Sequence, residues 1–260
     1  VNSFAQHHFI EVQKLKTHFI RFGDSENKVI FLHGWGGSTD SFFKLATTLA
    51  KKRPDLEILL VDYPGFGLTD MPDNKGWDTF RYAEWVHTFC DELNIKHASF
   101  YVHSFGGRIL TRLINKNPEL GNKLVFTCTA GVKWPLGLRQ KISVGLSKIM
   151  PKAKSAKGQK IQKLIVTKIF GARDWGNVDP HLKSTLTKVL AEQDLRDDLK
   201  NVNQESLIIW GEQDNITPLK SGKVYAARLP NNKFITFKNG RHGVHHTHTD
   251  KIIDELIKFL

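Results

Sequence analysis

Cysteine is nearly absent from this 260-residue chain, which has only Cys90 and Cys128. A disulfide framework therefore cannot hold the fold together, and a reducing compartment, the cytoplasm, is the expected setting. Both cysteines fall in periodic apolar segments that read as buried, so they are not expected to pair. Long hydrophobic runs are missing too. Val29 to Leu32 and Ile58 to Val61 fall far short of the ~20 apolar residues a membrane-spanning helix needs, which excludes that class. The stretch Val1 to Ile20 has no basic region followed by an apolar run and a small-residue cleavage site, so no secretory signal is expected. Carboxylates are missing from one long stretch: Lys133 to Arg173 holds eleven Lys and Arg and no Asp or Glu. The formal net charge is +12, so the rest of the chain is almost neutral. The basic stretch is thus a compositional boundary.

What is present is the composition of an ordinary globular protein, 40% hydrophobic and 25% charged, long enough for one large domain or a domain carrying an insertion. Short β-rich runs (Lys28 to Leu32, Glu57 to Val61, Ser99 to Val102, Leu124 to Thr129) alternate with segments of helical spacing (Phe42 to Lys52, Thr79 to Leu93, Gly106 to Asn117). Such alternation predicts βαβ units and a parallel sheet. Phe9 to Phe22 reads as an antiparallel pair at the sheet edge. The pattern resumes with strands at Leu207 to Trp210 and Phe234 to Phe237 and helices at Leu219 to Leu229 and Asp250 to Leu260. Between the two halves, residues 133–201 carry mostly helical patterns, and Asp179 before Pro180 is a good helix start. The expected organisation is an α/β core from 1–132 and 202–260, with 133–201 inserted as a helical cap.

The chemistry-bearing residues fall at strand ends. Tyr101-Val-His-Ser-Phe-Gly-Gly107 places Ser104 between a β-run and a helix opening on two glycines, the context of a nucleophile elbow. On motif grounds alone, a serine in an ordinary turn is the rival reading. His33-Gly-Trp-Gly-Gly37 follows another strand, where glycines free backbone amides to turn toward a developing oxyanion; the candidates are the amides of Trp35 and Phe105. A plain Gly-rich turn is the alternative, and a phosphate loop lacks its Lys and Ser/Thr. A serine nucleophile needs a base and an orienting acid. Asp214 and His242 each follow a strand, with Glu212 as a rival acid.

These segments resemble the α/β-hydrolase superfamily over nearly the full length: His33 to Gly37, Asp62-Tyr-Pro-Gly-Phe-Gly-Leu-Thr69, Val102 to Gly107, Trp210-Gly-Glu-Gln-Asp214 and Gly240-Arg-His242. The resemblance implies an eight-stranded, mostly parallel sheet flanked by helices, a cap over the active site, and a triad of Ser104, Asp214 and His242. Two residues depart from the pattern. Val102 stands where the elbow has its first glycine, and Arg241 where a glycine often precedes the histidine.

The expected function is a serine hydrolase, needing no cofactor, that cleaves a carboxylic ester or lactone, such as a short- to medium-chain acyl ester or an acyl homoserine lactone. Alternatives are carbon–carbon bond hydrolysis, amidase or aminopeptidase cleavage, perhydrolysis, or a low-turnover ligand-binding or membrane-associated protein. The fold alone does not choose among them. His33, Gly34, His103, Trp134 and Trp175 are candidates for the substrate pocket. The histidines at 242, 245, 246 and 248 invite a metal reading, but a histidine-rich loop beside a catalytic histidine needs no metal, and none is expected. For the basic segment three readings stand: a solvated surface, attraction of an anionic substrate, or peripheral contact with an anionic membrane. Nucleic acid is not an expected partner, since no recognition motif accompanies the charge.

Overall fold

A computed structural model describes residues 5–72, 75–134 and 179–260. Its strands are β1 (Gln6–Val12), β2 (Leu15–Phe22), β3 (Lys28–Leu32), β4 (Glu57–Val61), β5 (Ala98–His103), β6 (Gly121–Thr127), β7 (Ser206–Gly211) and β8 (Asn232–Phe237). They form one eight-stranded sheet in the order β1-β2-β4-β3-β5-β6-β7-β8. β1 and β2 pair antiparallel, β2 meets β4 antiparallel, and every other pairing is parallel. The central strands β4, β5 and β7 are buried along their whole length, as expected of parallel strands covered on both faces.

Helices α1 (Phe43–Lys52), α2 (Thr79–Glu92), α3 (Phe105–Lys116), α4 (Pro180–Ala191), α5 (Leu219–Arg228), α6 (Val244–Thr247) and α7 (Thr249–Phe259) flank the sheet. α4 begins where the Asp-Pro pair predicts: the Asp179 carboxylate accepts the His181 amide at 2.7 Å. Its C-terminal end is anchored to the core. Glu192 accepts from the Thr79 amide at 2.6 Å and from Arg108 Nη2 at 3.1 Å, tying α4 to the start of α2 and to α3. Most of the expected cap, 135–178, lies outside the described residues. No helix among those described is long and apolar enough to cross a membrane.

One topological feature positions the site. From β3 the chain crosses to β4 on one side, and β5 lies on the other side of β3 and leads away to β6. The loops after β3 and β5 therefore diverge, and a crevice opens between them at the carboxyl edge of the sheet. The β-run predicted from Leu124 to Thr129 ends earlier, at Thr127, because Cys128 turns into the left-handed region with φ +45°. Cys90 and Cys128 are both buried and unpaired.

Candidate active site

Ser104 lies between the last residue of β5 and the first of α3, at φ +48° and ψ −110°, a backbone conformation that a residue with a side chain adopts only under constraint. Close packing supplies the constraint. A Cβ at Gly106 would lie 2.5 Å from the Leu32 carbonyl oxygen, and one at Gly107 2.3 Å from Thr129 Cγ2. Only glycines let α3 approach β3 and the end of β6 this closely. Val102, the departure from the elbow pattern, is fully buried and paired within the sheet, and the turn at Ser104 forms without a glycine there.

Asp214 and His242 arrive on neighbouring turns laced to each other: the Glu212 amide donates to Phe237 O at 3.0 Å and the Gln213 amide to Gly240 O at 2.9 Å. His242 Nε2 is 3.0 Å from Ser104 Oγ, and its Nδ1 is 2.9 Å from Asp214 Oδ2. The other carboxylate oxygen, Oδ1, accepts the amides of Ile216 at 2.8 Å and Thr217 at 2.9 Å. Burial pushes the Asp214 carboxyl up, but hydrogen bonds from His242, Thr217 and the Ile216 amide outweigh it, and the net shift is below the usual carboxylate value. Glu212 is not part of this chain of bonds; it is exposed and accepts from Thr236 Oγ1.

A cleft of about 220 Å³ opens over Ser104. Its walls are Gly34, Trp35, Gly36 and Gly37 on one side and His242, Gly243, His245 and His246 on the other, with Ser41 and His103 between them. Gly34, Trp35 and His103 thus border the cleft. As the first residue of α3, Phe105 has an amide with no intrahelical acceptor. The Trp35 ring packs edge-on against Phe66 and Phe105, at centroid distances of 5.1 and 5.4 Å.

Two expected pocket residues lie elsewhere. His33 is fully buried beneath the cleft, donating from Nδ1 to Gly34 O at 2.7 Å and accepting the Tyr63 amide at Nε2. With both nitrogens committed to backbone, it holds the loop rather than the substrate. Trp134 turns the other way. Its indole donates to Ser221 Oγ on α5 at 2.9 Å, and its ring carries Lys220 at 4.1 Å and Arg196 at 5.0 Å. Two cations and a hydroxyl satisfy it away from the cleft. Trp175 is outside the described residues.

His103 donates from Nδ1 to Thr127 O at 3.1 Å, and its ring centroid lies 4.7 Å from that of His242 and 4.5 Å from that of His245. Burial, then the neighbouring histidines His245 and His242, hold His103 well below the ordinary histidine range. His245 is pushed down to about 3, by burial first and then by His246 and His242. Among the described residues one set of potential metal ligands converges, Cys128, Asp214 and His242, within 4.8 Å of one another. The other histidines of the turn do not join it, and Asp214 and His242 are already bonded to each other.

The motif Asp62 to Thr69 has a structural task that the sequence reading passed over. The Asp62 carboxylate accepts the amides of Thr39 at 2.7 Å and Leu68 at 3.0 Å and lies 2.6 Å from His18 Nδ1. A Cβ at Gly67, which has φ +55°, would stand 2.1 Å from that carboxyl. The network fixes the chain just beyond the Gly34 to Gly37 loop. Only the Asp and Gly spacing hinted at it, because His18 is far away in sequence.

Comparisons with known proteins agree with this architecture. A family model described as the alpha/beta hydrolase fold matches residues 27–149. The chain has the α/β-hydrolase fold. A pimeloyl-[acyl-carrier protein] methyl ester esterase of Legionella pneumophila (strain Corby) is 28% identical, over 94% of this chain and 100% of that protein. Among solved structures, a putative lipase of Acinetobacter baumannii AYE superposes with a TM-score of 0.77 at 18% identity, covering 98% of this chain and 90% of that one. An esterase of Exiguobacterium antarcticum gives 0.74 at 20% identity, covering 98% and 99%. At these identities the solved structures speak for the fold alone. The chain therefore pairs a common scaffold with the Ser104, His242 and Asp214 geometry described above.

Proposed function

We propose that the protein is a serine hydrolase cleaving carboxylic esters through an acyl-enzyme. The observation that carries this reading is the hydrogen-bonded line from Ser104 Oγ through His242 to Asp214 at 3.0 and 2.9 Å, with the serine held on a constrained turn at the cleft floor. In the proposed mechanism His242 Nε2 takes the proton as Ser104 Oγ attacks the ester carbonyl carbon. Asp214 holds Nδ1 protonated and stabilises the imidazolium. The amides of Trp35 and Phe105 donate to the oxyanion, each worth about 10²–10³ in rate. His242 then returns the proton to the departing alcohol and activates the water that releases the acid.

The proposed substrates are short- to medium-chain acyl esters, or lactones, which are cyclic esters and follow the same steps. The name of the Legionella relatives adds a methyl ester displayed on a carrier protein as a specific candidate. Eleven Lys and Arg without a carboxylate between Lys133 and Arg173 favour a substrate with anionic character. Residues 133–201 are proposed to form the cap. Hydrolysis of p-nitrophenyl esters from acetate to dodecanoate, with lactone opening followed by proton release, tests the reading in wild type and Ser104→Ala, beside fluorophosphonate labelling. Turnover and labelling lost together in the variant support it. An unlabelled wild type with no turnover would move the protein to the ligand-binding class.

A further inference from the structure

Thr217 lies three residues beyond Asp214, and its hydroxyl is shared among three groups. It is 2.7 Å from Asp214 Oδ2, 2.9 Å from the Cys128 carbonyl oxygen and 3.2 Å from His242 Nδ1. The rest of the residue is held as firmly: its amide donates to Asp214 Oδ1, and its carbonyl accepts the Trp210 indole N–H at 2.8 Å. The side chain is buried and does not border the cleft.

A threonine hydroxyl has one proton and two lone pairs. Here Cys128 O and the Asp214 carboxylate can only accept, and His242 Nδ1–H can donate. The single proton must therefore choose between the left-handed residue that ends β6 and the acid. When it goes to Asp214, it drains charge from the oxygen that faces the imidazole. When it goes to Cys128 O, that oxygen serves His242 alone.

We propose that Thr217 is a positioning residue, whose hydroxyl fixes the Asp214 carboxylate against His242 and limits how strongly that carboxylate holds the imidazolium. The proposal rests on the serine-hydrolase reading for its catalytic consequence, but not for its geometry. The groups around His242 are Asp214 after β7, Cys128 after β6, His103 at the end of β5, Ser104 at the start of α3, and His245 and His246 on its own turn, with the exposed Arg241 preceding it in the chain. Burial keeps His103 and His245 neutral, so the Asp214 carboxylate is the anion through which Thr217 acts.

Thr217→Val keeps the shape and the backbone bonds and deletes the hydroxyl. The carboxylate then loses one donor and holds the proton on His242 to higher pH. The midpoint of the acid limb of kcat/KM is expected to rise by about half a pH unit or more. With the imidazole less well aimed, kcat is expected to fall about tenfold while KM stays unchanged. Thr217→Ser should restore both. The titration of the His242 ring protons by NMR, which needs no turnover, should move in the same direction as the acid limb. Should Thr217→Val not fold, Thr217→Cys, with a weaker donor in the same place, should give a shift of the same sign.

An unchanged NMR midpoint and acid limb in the folded Val or Cys variant would overturn the proposal, as would Thr217→Ser behaving like Val. Failure of the hydrolase reading looks different: no ester is turned over by the wild type, while the NMR shift is still present.

Discussion

Among the described residues two histidine–aspartate pairs have a buried carboxylate, and only one of them faces a serine. In both, a carboxylate after a strand end accepts two backbone amides and meets an imidazole Nδ1: Ile216, Thr217 and His242 for Asp214, and Thr39, Leu68 and His18 for Asp62. The tighter pair is the other one, 2.6 Å against 2.9 Å. What separates them is the second ring nitrogen. His18 Nε2 meets His7 Nδ1 at 2.9 Å, on the edge strand β1, whereas His242 Nε2 meets Ser104 Oγ at the floor of an open cleft. A short bond between Asp and His is therefore no mark of catalysis by itself. One pair secures loops, and the other can pass a proton to a reacting group.

This contrast breaks first at its serine. Ser104→Ala is expected to lower kcat for ester hydrolysis by up to about 10⁶-fold, with the unfolding midpoint unchanged. Asp214→Asn should lower kcat about 10⁴-fold, because an amide no longer holds the working tautomer. If Asp214→Asn retained near wild-type kcat, the two pairs would be functionally alike and the assignment wrong. Asp62→Asn should invert the pattern, with a loss of about 3 kcal/mol in urea unfolding and far less effect on kcat in the protein that remains folded.

Acid should also tell on stability. Burial, ahead of the other causes, lowers His33, His103 and His245 from the ordinary 6.5, with His245 at about 3. Such groups are neutral in the folded protein. Their contribution is complete above about 6.5, the value expected of the unfolded chain, and is lost as pH falls toward the folded values, where unfolding takes up protons. Asp214, lowered below its usual 3.8, acts in a more acidic window: its stabilisation is present above that value and lost below it. Tm should accordingly fall by several degrees between pH 7 and 4, and His245→Phe, packed against Phe42, should flatten that slope. A parallel slope in the variant would count against His245 as a source. The smallest effect concerns the basic stretch: kcat/KM for an anionic ester should drop about two- to fivefold between low and physiological salt, and a neutral ester should show no drop.

Much of this was legible beforehand because it is local. Strand and helix alternation reports burial residue by residue, and Ser104, Asp214 and His242 each lie in the loop or turn at the end of a β-run. The distinction between the two pairs was not legible, since His18 lies on β2 and Asp62 after β4, joined only by sheet pairing. Thr217 lies in the loop that follows β7. Its sequence neighbour Asp214 suggests an amide-capped turn, but nothing in the chain reveals that Cys128 O and His242 Nδ1 reach the same hydroxyl. His33 and Trp134 were misplaced for a related reason: an aromatic or imidazole ring beside a motif can turn either way, and its hydrogen-bond partners, Tyr63 and Ser221, come from other elements.

By itself, then, the order of residues determined the alternating elements, the glycines that permit close approach at the turn, and the strand ends that carry Ser104, Asp214 and His242. Periodicity and turn chemistry act over a few residues, so they survive in one dimension. Which histidine faces the serine, which carboxylate is spent on holding loops, and which groups share the Thr217 hydroxyl were decided only in the folded sheet. Those outcomes depend on hydrogen bonds of about 3 Å between segments far apart in the chain, and only tertiary packing sets such distances.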